Sequence, residues 1–287
     1  MSPFELARPA TLGAALSLLD REDTDVRPMG GGTALMLMMK AGILRPRRLV
    51  SLRSLGAEYR AIELRPDGEL HVGALSTLSA LEHSEPVRRA APAICRAMRR
   101  LSNVRVRNVA TVGGNLAHAD PHMDLPPLLS ALGAHVVAAG AGGERRIPVD
   151  ELIAGYYETI LEKDELIVRL VVPAQAGWQS NYLKVTTRAA DDWPALGVAV
   201  NLRMEGSRVR ECRLFIGAAT DRPTRLPRAE AVLLDAPLDA ALLRRAGDAA
   251  AEEVECSGDD QGSAPYKKEL LRVSLGRAVA PLLASSR

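Results

Sequence analysis

Short apolar runs separated by turn residues mark the first third of the chain. Residues 11–19 place apolar side chains at a helical spacing behind Thr11, which can cap a helix. The segment 33–39 is apolar and follows a loop of three glycines. Strands are predicted at 25–29, 49–52, 61–64 and 70–73, with the turn Arg65-Pro66-Asp67-Gly68 between the last two.

Helices and strands then alternate up to a predicted linker. One helix is expected to start near the cap Ser76, and another to run from Pro86 to about Leu101, because proline is favoured in a first turn. A helix at 124–132, strands at 134–139 and 166–172, and a linker at 173–177 follow. The last third predicts strands at 182–187, 196–202 and 209–217, then helices at 225–234, 239–255 and 264–283, a pattern typical of a separate α+β domain.

Composition narrows the class of protein. At 287 residues and 47% hydrophobic content, the chain can bury more than one core, so two domains are expected. Its 37 basic and 35 acidic residues give no broad basic field, and aromatic residues make up 3%, so a nucleic-acid partner is not expected. The first residues show no signal-peptide pattern and no stretch is apolar enough to span a bilayer, which favours a cytoplasmic location.

The three cysteines do not predict a metal site. Cys95, Cys212 and Cys256 are far apart and match none of the paired spacings of zinc or iron–sulfur sites. They are expected to be buried free thiols.

Two glycine-rich loops carry the candidate chemistry. They are Met29-Gly30-Gly31-Gly32-Thr33 and Thr111-Val112-Gly113-Gly114-Asn115, and each leads from a short apolar run into another apolar segment. Glycine reaches positive φ without strain and lets backbone N–H groups converge on an anion. Two such loops suit a diphosphate held from both sides, so a dinucleotide is the predicted ligand.

Neither common nucleotide-binding motif accounts for these loops. The Rossmann pattern requires a third glycine where Leu35 stands. A P-loop requires Lys and Ser or Thr directly after its last glycine, but Lys40 lies far beyond the first loop and Asn115-Leu116 follows the second.

A longer family motif does fit. Residues 28–35, PMGGGTAL, resemble an AGGTDL-type loop, and residues 107–126, RNVATVGGNLAHADPHMDLP, resemble the motif RN-x-x-TIGGNLAHADP-x-x-DLP. Both motifs belong to the FAD-binding subunits of the molybdenum hydroxylases, the xanthine dehydrogenase and carbon monoxide dehydrogenase medium-subunit group. Segments 155–159, 165–168, 182–200 and 262–268 extend the resemblance over essentially the whole chain.

The resemblance implies an α+β fold in two domains. Residues 1–175 would form a two-lobed PCMH-type FAD-binding domain, with lobes at about 1–55 and 56–175. Residues 178–287 would form a smaller α+β domain similar to the C-terminal domain of the carbon monoxide dehydrogenase flavoprotein.

The same resemblance implies FAD contacts but no catalytic or metal-binding residue in this chain. Met29 stands where alanine is usual in the family, and Ala34 where Asp or Ser is usual, so Ala34 can contribute only its backbone. The cofactor-binding residues implied are Met29, Gly30, Gly31, Gly32, Thr33, Ala34, Leu35, Leu101, Thr111, Gly113, Gly114, Asn115, His118, Asp124, Ile167 and Lys184.

Several of these residues allow a second interpretation. Asp124 would accept a hydrogen bond from an FAD hydroxyl, or cap the helix that starts at Leu125. Lys184 would lie near the flavin, or be a solvated strand lysine. His118 and Asp120 look like a catalytic pair, but their place in the loop favours a backbone role.

Two surface features also stay open. Trp193 could cover the flavin ring or pack in a domain seam. The arginine cluster 96–107 could meet an acidic partner or the cofactor phosphates, although a mostly solvated helix face is expected.

The resemblance implies an electron-transfer subunit of a larger enzyme. In the family, a large subunit carries molybdopterin and a small subunit carries [2Fe–2S] clusters, from which electrons reach the FAD and then an external acceptor. A dimer of heterotrimers is the implied assembly. The alternatives are a stand-alone FAD-dependent oxidase and a nucleotide-binding module without enzymatic activity.

Overall fold

A small parallel sheet opens the fold. The structure, a computed structural model, describes residues 2–284. The first elements are β1 (Glu5–Ala7), α1 (Leu12–Leu16), β2 (Val26–Met29), α2 (Thr33–Lys40) and β3 (Arg48–Ser51). The sheet has the order β1–β3–β2, and both outer strands run parallel to β3. Because parallel strands end at the same edge, the loops that follow β2 and β3 lie side by side.

The middle of the chain forms an antiparallel sheet under a layer of helices. Between the sheet and the helices lies a large buried cluster that includes Leu70, Leu116 and Leu170. The elements are β4 (Ile62–Leu64), β5 (Leu70–Gly73), α3 (Leu78–His83), α4 (Glu85–Ala90), α5 (Pro92–Met98), α6 (Val104–Arg107), α7 (Val112–His118), α8 (Leu125–Ala131), β6 (His135–Gly140), β7 (Gly143–Pro148), α9 (Val149–Leu152), β8 (Ile153–Gly155), β9 (Glu158–Thr159) and β10 (Leu166–Val172). The sheet has the order β4–β5–β10–β6–β7, while β8 and β9 pair with each other.

Two details of the helix predictions in this region were wrong, the cap of one helix and the length of another. Thr77, not Ser76, caps α3, because the Thr77 hydroxyl accepts the N–H of Ala80. The predicted helix from Pro86 to about Leu101 is two helices, α4 and α5. Ala91 adopts φ −146°, outside the helical range. Proline disfavours a helical conformation in the residue before it and has no N–H to donate, so α4 ends at Ala91 and α5 begins at Pro92.

The C-terminal third is a second α+β unit. Three helices pack on an antiparallel sheet, and residues such as Val200, Leu214 and Leu275 form their common core. The elements are β11 (Trp178–Thr186), β12 (Pro194–Glu205), β13 (Arg208–Gly217), β14 (Thr224–Arg225), α10 (Pro227–Leu233), α11 (Ala240–Glu253) and α12 (Ala264–Ala284), and the sheet has the order β11–β12–β13–β14. The predicted α+β class is confirmed.

Polar contacts fix the segment that joins the two units. The Gln175 amide donates to the carbonyls of Leu132 and Pro173 and accepts from the buried Asn201 side chain.

Within the described residues, no helix has the length and apolar run that a bilayer crossing needs.

Candidate functional site

The first glycine loop joins β2 to α2 at the edge where the parallel strands end. Gly32 is left-handed, with φ +77°, which glycine adopts without the strain that a Cβ brings. No side chain caps α2, and the first backbone hydrogen bond of the helix runs from the Met36 N–H to the Gly32 carbonyl. The N–H groups of Thr33, Ala34 and Leu35 therefore lack intrahelical partners and can bind an anion.

The second glycine loop is built differently. Thr111 caps α7 by accepting the N–H of Gly114 at 3.2 Å. The N–H groups of Val112 and Gly113 donate at 2.9 and 2.8 Å to carbonyls in the segment 74–76. The N–H groups of Val112, Gly113 and Gly114 are therefore engaged and are not the free donors that the sequence analysis expected, while the contact of this loop with a cofactor stays a prediction.

The two loops touch each other through their glycines. A Cβ at Gly31 would lie 2.1 Å from the Val109 carbonyl oxygen, and one at Gly30 would lie 2.7 Å from Thr111 Oγ1. Neither distance accommodates a side chain without movement. Gly114 is exposed, and a Cβ there would meet only Thr111 Oγ1, at 2.9 Å. The first loop thus needs glycine for contact, while Gly114 leaves an open approach to the Thr111 hydroxyl.

A cavity of about 380 Å³ lies where the loops meet. It brings together Gly30, Gly31 and Thr111, which the sequence analysis assigned to one site. The remaining lining residues are Arg53, Arg60, Leu75, Thr77, Asn108 and Val109.

The two arginines of this cavity were missed by the sequence analysis. Arg53 follows β3, and its guanidinium lies 3.4 Å from the Gly31 carbonyl oxygen. Arg60 is held by hydrogen bonds to the carbonyls of Arg53, Leu55 and Gly56. The sequence could have indicated them, because two strands that flank a helix are expected to be parallel. Parallel pairing of β2 and β3 brings the residues that follow both strands to one edge of the sheet.

The groups around the cavity fit the diphosphate of the predicted FAD. Arg53 and Arg60 line the cavity and supply positive charge. The start of α2 does not line the cavity, but it follows Gly31 closely along the chain and has free N–H groups. The Thr111 hydroxyl accepts from Gly114 and, within residues 2–284, donates to no acceptor, so its proton can reach a phosphate oxygen.

Asn115 gives an independent indication of a ligand. The residue is buried, and its Nδ2 contacts the Met123 sulfur at 3.0 Å. Its Oδ1 has no hydrogen-bond partner among the described residues. An unsatisfied buried acceptor costs about 1–3 kcal/mol, which a ligand hydroxyl on this side of α7 would recover.

Asp124 and Lys184 form a buried ion pair between the two units. Their Oδ2 and Nζ atoms are 3.0 Å apart, and the side chains are 4% and 3% exposed. Asp124 Oδ1 accepts the Tyr182 hydroxyl at 2.8 Å, and Lys184 Nζ also donates to the Arg100 carbonyl at 2.9 Å. Burial raises the pKa of Asp124, and Lys184 opposes this rise.

This geometry excludes the second interpretation of each residue, a helix cap for Asp124 and a solvated strand lysine for Lys184. Asp124 occupies the N-cap position of α8, but its side chain makes no capping bond. Lys184 is buried on β11 rather than solvated. The contact of either residue with FAD stays a prediction.

Four other predicted residues, one within the first loop and three outside both loops, do not line the cavity. Met29 and Ile167 are half-buried, and Ile167 precedes a register shift in the pairing of β10 with β6. Leu101 is buried between α5 and α6, and His118 ends α7. In the part of the chain that is described, none of these four lines the cavity.

A second polar cluster, the seam network, crosses between the two units at His122. Its Nδ1 lies 3.2 Å from Asp120 Oδ1, and its Nε2 lies 2.8 Å from Asp259 Oδ2. The fully buried Lys267 pairs with Asp259. The Tyr157 hydroxyl donates to Asp120 Oδ2 at 2.9 Å.

The charges of this network shift the pKa values of its members. Burial alone would lower the pKa of His122, but its hydrogen bonds to Asp120 and Asp259 outweigh burial and raise it. Burial would raise the pKa of each aspartate, but their hydrogen bonds outweigh it and lower both values. His118 Nε2 is 4.0 Å from Asp120 Oδ2, too far for a hydrogen bond, and burial lowers its pKa. Asp120 therefore pairs with His122, not with His118.

Trp193 takes one of its two predicted positions. Its ring stacks on His122 with centroids 5.3 Å apart, so it packs at the domain seam, although 52% of it stays exposed.

Two family models match the chain. Residues 2–175 match the FAD binding domain in molybdopterin dehydrogenase, and residues 181–282 match the CO dehydrogenase flavoprotein C-terminal domain.

Curated relatives match over nearly their whole length. The carbon monoxide dehydrogenase medium chain of Hydrogenophaga pseudoflava is 32% identical over 280 residues, 96% of each chain. The glyceraldehyde dehydrogenase medium chain of Sulfolobus acidocaldarius is 28% identical over 270 residues, 94% of this chain and 95% of that one. A solved structure of carbon monoxide dehydrogenase from Hydrogenophaga pseudoflava superposes with a TM-score of 0.94 at 32% identity, over 99% of both chains.

Proposed function

The chain belongs to the FAD-binding medium subunits of the molybdenum hydroxylases, and from this membership we propose that it carries electrons from a partner's iron–sulfur centres to an external acceptor. It is an oxidoreductase subunit, and FAD is its cofactor. When bound, FAD supplies the redox chemistry, since a flavin exchanges electrons with both one-electron and two-electron partners.

The residues of this chain hold and orient that cofactor. We propose that the diphosphate binds the free N–H groups of Thr33, Ala34 and Leu35, with Arg53 balancing its charge. The Thr111 hydroxyl would donate to it from the other side of the cavity.

The partner subunits follow from the family. We propose a small subunit with [2Fe–2S] clusters and a large subunit with molybdopterin, assembled as a dimer of heterotrimers. The relatives are medium chains of enzymes named for different compounds, carbon monoxide and glyceraldehyde. This supports a division of labour in which another subunit selects the substrate.

The observation that carries the proposal is the contact of the two glycine loops around one cavity. Gly31 packs directly on Val109, and Gly30 on Thr111, so segments about eighty residues apart line one cavity, which supports a shared cofactor site. The stand-alone oxidase and the non-enzymatic module lose support, because the matched relatives are medium chains of dehydrogenases over 94–96% of this chain.

Purification of the native protein with its bound subunits tests the proposal. We expect one FAD per chain, together with subunits that hold iron–sulfur clusters and molybdopterin. On anaerobic mixing, the reduced iron–sulfur subunit should bleach the flavin absorbance of this chain. A flavin that a substrate reduces in the isolated chain, with no iron–sulfur partner, would favour the stand-alone oxidase instead.

A further inference from the structure

The segment 86–119 is strongly basic in a nearly neutral chain. It contains seven arginines and no Asp or Glu, so it carries +7, whereas the whole chain carries +2 and the remaining residues together −5. The positive charge of the protein is therefore concentrated in about one-eighth of its sequence.

Three of the seven arginines are used within the fold. Arg107 is mostly buried, so the expectation of a solvated arginine face does not hold for it. The contacts are Arg88 to Glu85 at 2.6 Å, Arg96 to the Ser180 carbonyl at 2.8 Å, and Arg107 to Glu82 at 2.9 Å.

The other four arginines point into solvent. Arg89, Arg99, Arg100 and Arg105 are exposed, and within residues 2–284 their guanidinium groups make no hydrogen bond or ion pair. Val104, 55% exposed, lies among them on α6. We call Arg99, Arg100, Val104 and Arg105 the arginine surface. The dipole of α5 favours cations near its C-terminal end, at Arg99 and Arg100, but does not account for Arg105 on α6.

The arginine surface borders the cofactor site. Val109 and Asn108, which follow α6, line the glycine-loop cavity. At the other end, the carbonyl of Arg100 accepts the hydrogen bond of Lys184. A protein that docks here lies beside the cavity assigned to the diphosphate of the cofactor.

We propose that the arginine surface docks a carboxylate-rich face of the protein that delivers electrons to this chain. The inference rests on the proposed function, in which that protein carries the iron–sulfur centres. A cluster of exposed positive charges favours association with a face of opposite charge.

A protein face fits this surface better than the cofactor phosphates do. The diphosphate has its own donors at the glycine loops, whereas the arginines lie on exposed helix faces. Val104 and Val109 add exposed apolar contact area, 55% and 39%. Arginine is among the residues that protein interfaces enrich.

A double charge reversal tests the inference. Arg99→Glu/Arg105→Glu changes two exposed side chains that make no hydrogen bond or ion pair within the described residues. The matched control is Arg244→Glu/Arg245→Glu, which makes the same charge change on exposed positions of α11. Each variant is co-expressed with the partner subunits, and association of the purified chain with the iron–sulfur subunit is measured at low salt and at about 1 M salt, where the Debye length is about 3 Å.

We expect the reversal to weaken association at least tenfold at low salt, with a much smaller effect at high salt, and the control to behave as wild type. FAD content should be unchanged in both. Equal association of both variants would overturn the inference, and so would lost FAD with intact association, which would assign the arginines to the cofactor. If the wild-type chain binds no iron–sulfur protein at all, the proposed function fails as well.

Discussion

At the scale of single residues, the glycines of the two loops have different roles. Gly30 and Gly31 are required because the loops touch at those positions. Gly114 packs on nothing except the Thr111 hydroxyl and is exposed where a ligand would approach. Gly114 is therefore the position at which cofactor binding and folding can be separated by mutation.

We expect Gly114→Ala to weaken FAD binding by about 10- to 100-fold, or about 1.4–2.8 kcal/mol, as for the loss of a hydrogen bond to a charged group. The added Cβ would displace the Thr111 hydroxyl, which lies 2.9 Å from it. Stability should change little, because the lost cap costs about 1 kcal/mol and alanine in a helix recovers about 1 kcal/mol over glycine. Titration of the deflavinated native protein with FAD measures the first effect, and urea unfolding measures the second.

Gly13→Ala is the matched control for this substitution. Gly13 is an exposed position in α1, and a Cβ there meets no atom within 4 Å. It should raise stability slightly and leave FAD affinity unchanged. Equal FAD affinity in both variants would remove Gly114 from the site.

The two histidines near Asp120 should make the free energy of unfolding depend on pH in opposite directions. The folded pKa of His122 is raised above its ordinary 6.5, so its contribution is present below 6.5 and is lost as pH rises through the folded value. The folded pKa of His118 is lowered, so stability falls as pH drops from 6.5 through its folded value. We expect His122→Gln to remove a loss of stability toward high pH, and His118→Gln to remove a loss toward low pH.

Urea unfolding between about pH 5 and 8 measures both slopes. The aspartates of the seam network titrate below this window, because their pKa values are lowered from 3.8. Identical pH profiles for wild type and His122→Gln would show that the histidine does not hold its proton between Asp120 and Asp259.

At the scale of elements, the sequence predicted those strands and helices whose limits are set by the pattern of apolar residues. β10 spans 166–172 as predicted, because its run of Leu, Ile and Val is bounded by Pro173. β7 was missed because four of its first five residues are exposed and polar or glycine. The break between α4 and α5 was missed because the apolar spacing continues across Ala91, and only the backbone restriction imposed by Pro92 ends the helix.

The elements α8 and β11 are joined by a contact that no local pattern shows. Asp124 and Lys184 are sixty positions apart, and their pairing depends on how the two units pack. The cavity arginines were missed for the same reason, since Arg53 has no distinctive neighbours along the sequence and reaches Gly31 only through the parallel sheet.

Removing one partner of this buried pair should be costly. We expect Lys184→Met to lower the free energy of unfolding by about 3–5 kcal/mol, because Asp124 is left buried without its cation. Adding Asp124→Asn should recover part of the loss, since the amide is uncharged and still accepts from Tyr182. Urea unfolding of the single and double variants measures both values.

The exposed pair Arg203–Glu211 is the control, with side chains 47% and 48% exposed. Breaking it with Glu211→Gln, which leaves the contacts of Arg203 with Ala176 and Trp178 in place, should cost about 0–1 kcal/mol. A similarly small cost for Lys184→Met would show that the seam does not depend on the buried pair.

At the scale of the whole molecule, backbone strain lies at the interface between the two units, and positive charge lies beside the glycine loops. Ala119, Tyr157 and Ala218, three of the five described non-glycine residues with positive φ, flank the seam network. Such conformations cost energy and persist where the surroundings fix them, so the seam is a defined geometry rather than a loose contact. The basic segment lies on the same unit as the glycine loops, as the proposed docking of an electron donor beside the cofactor requires.

The family motif carried the functional prediction further than any physical pattern in the chain. Residues 107–126 identified the class of cofactor, but the free N–H groups belong to the first loop and not to the loop within that motif. Close packing, rather than anion binding, explains Gly113, whose Cβ would lie 2.8 Å from that of Ala74. Sequence alone could not separate these two uses of glycine, because both favour the same residue.

An experimental structure of the native protein with bound FAD tests the central claim most directly. We expect the diphosphate in the cavity between Gly30–Gly31 and Thr111, with its oxygens at hydrogen-bond distance from the N–H groups of Thr33 to Leu35 and from the Thr111 hydroxyl. A diphosphate bound elsewhere, with this cavity still lined only by protein, would contradict the assignment of the two glycine loops as the cofactor site.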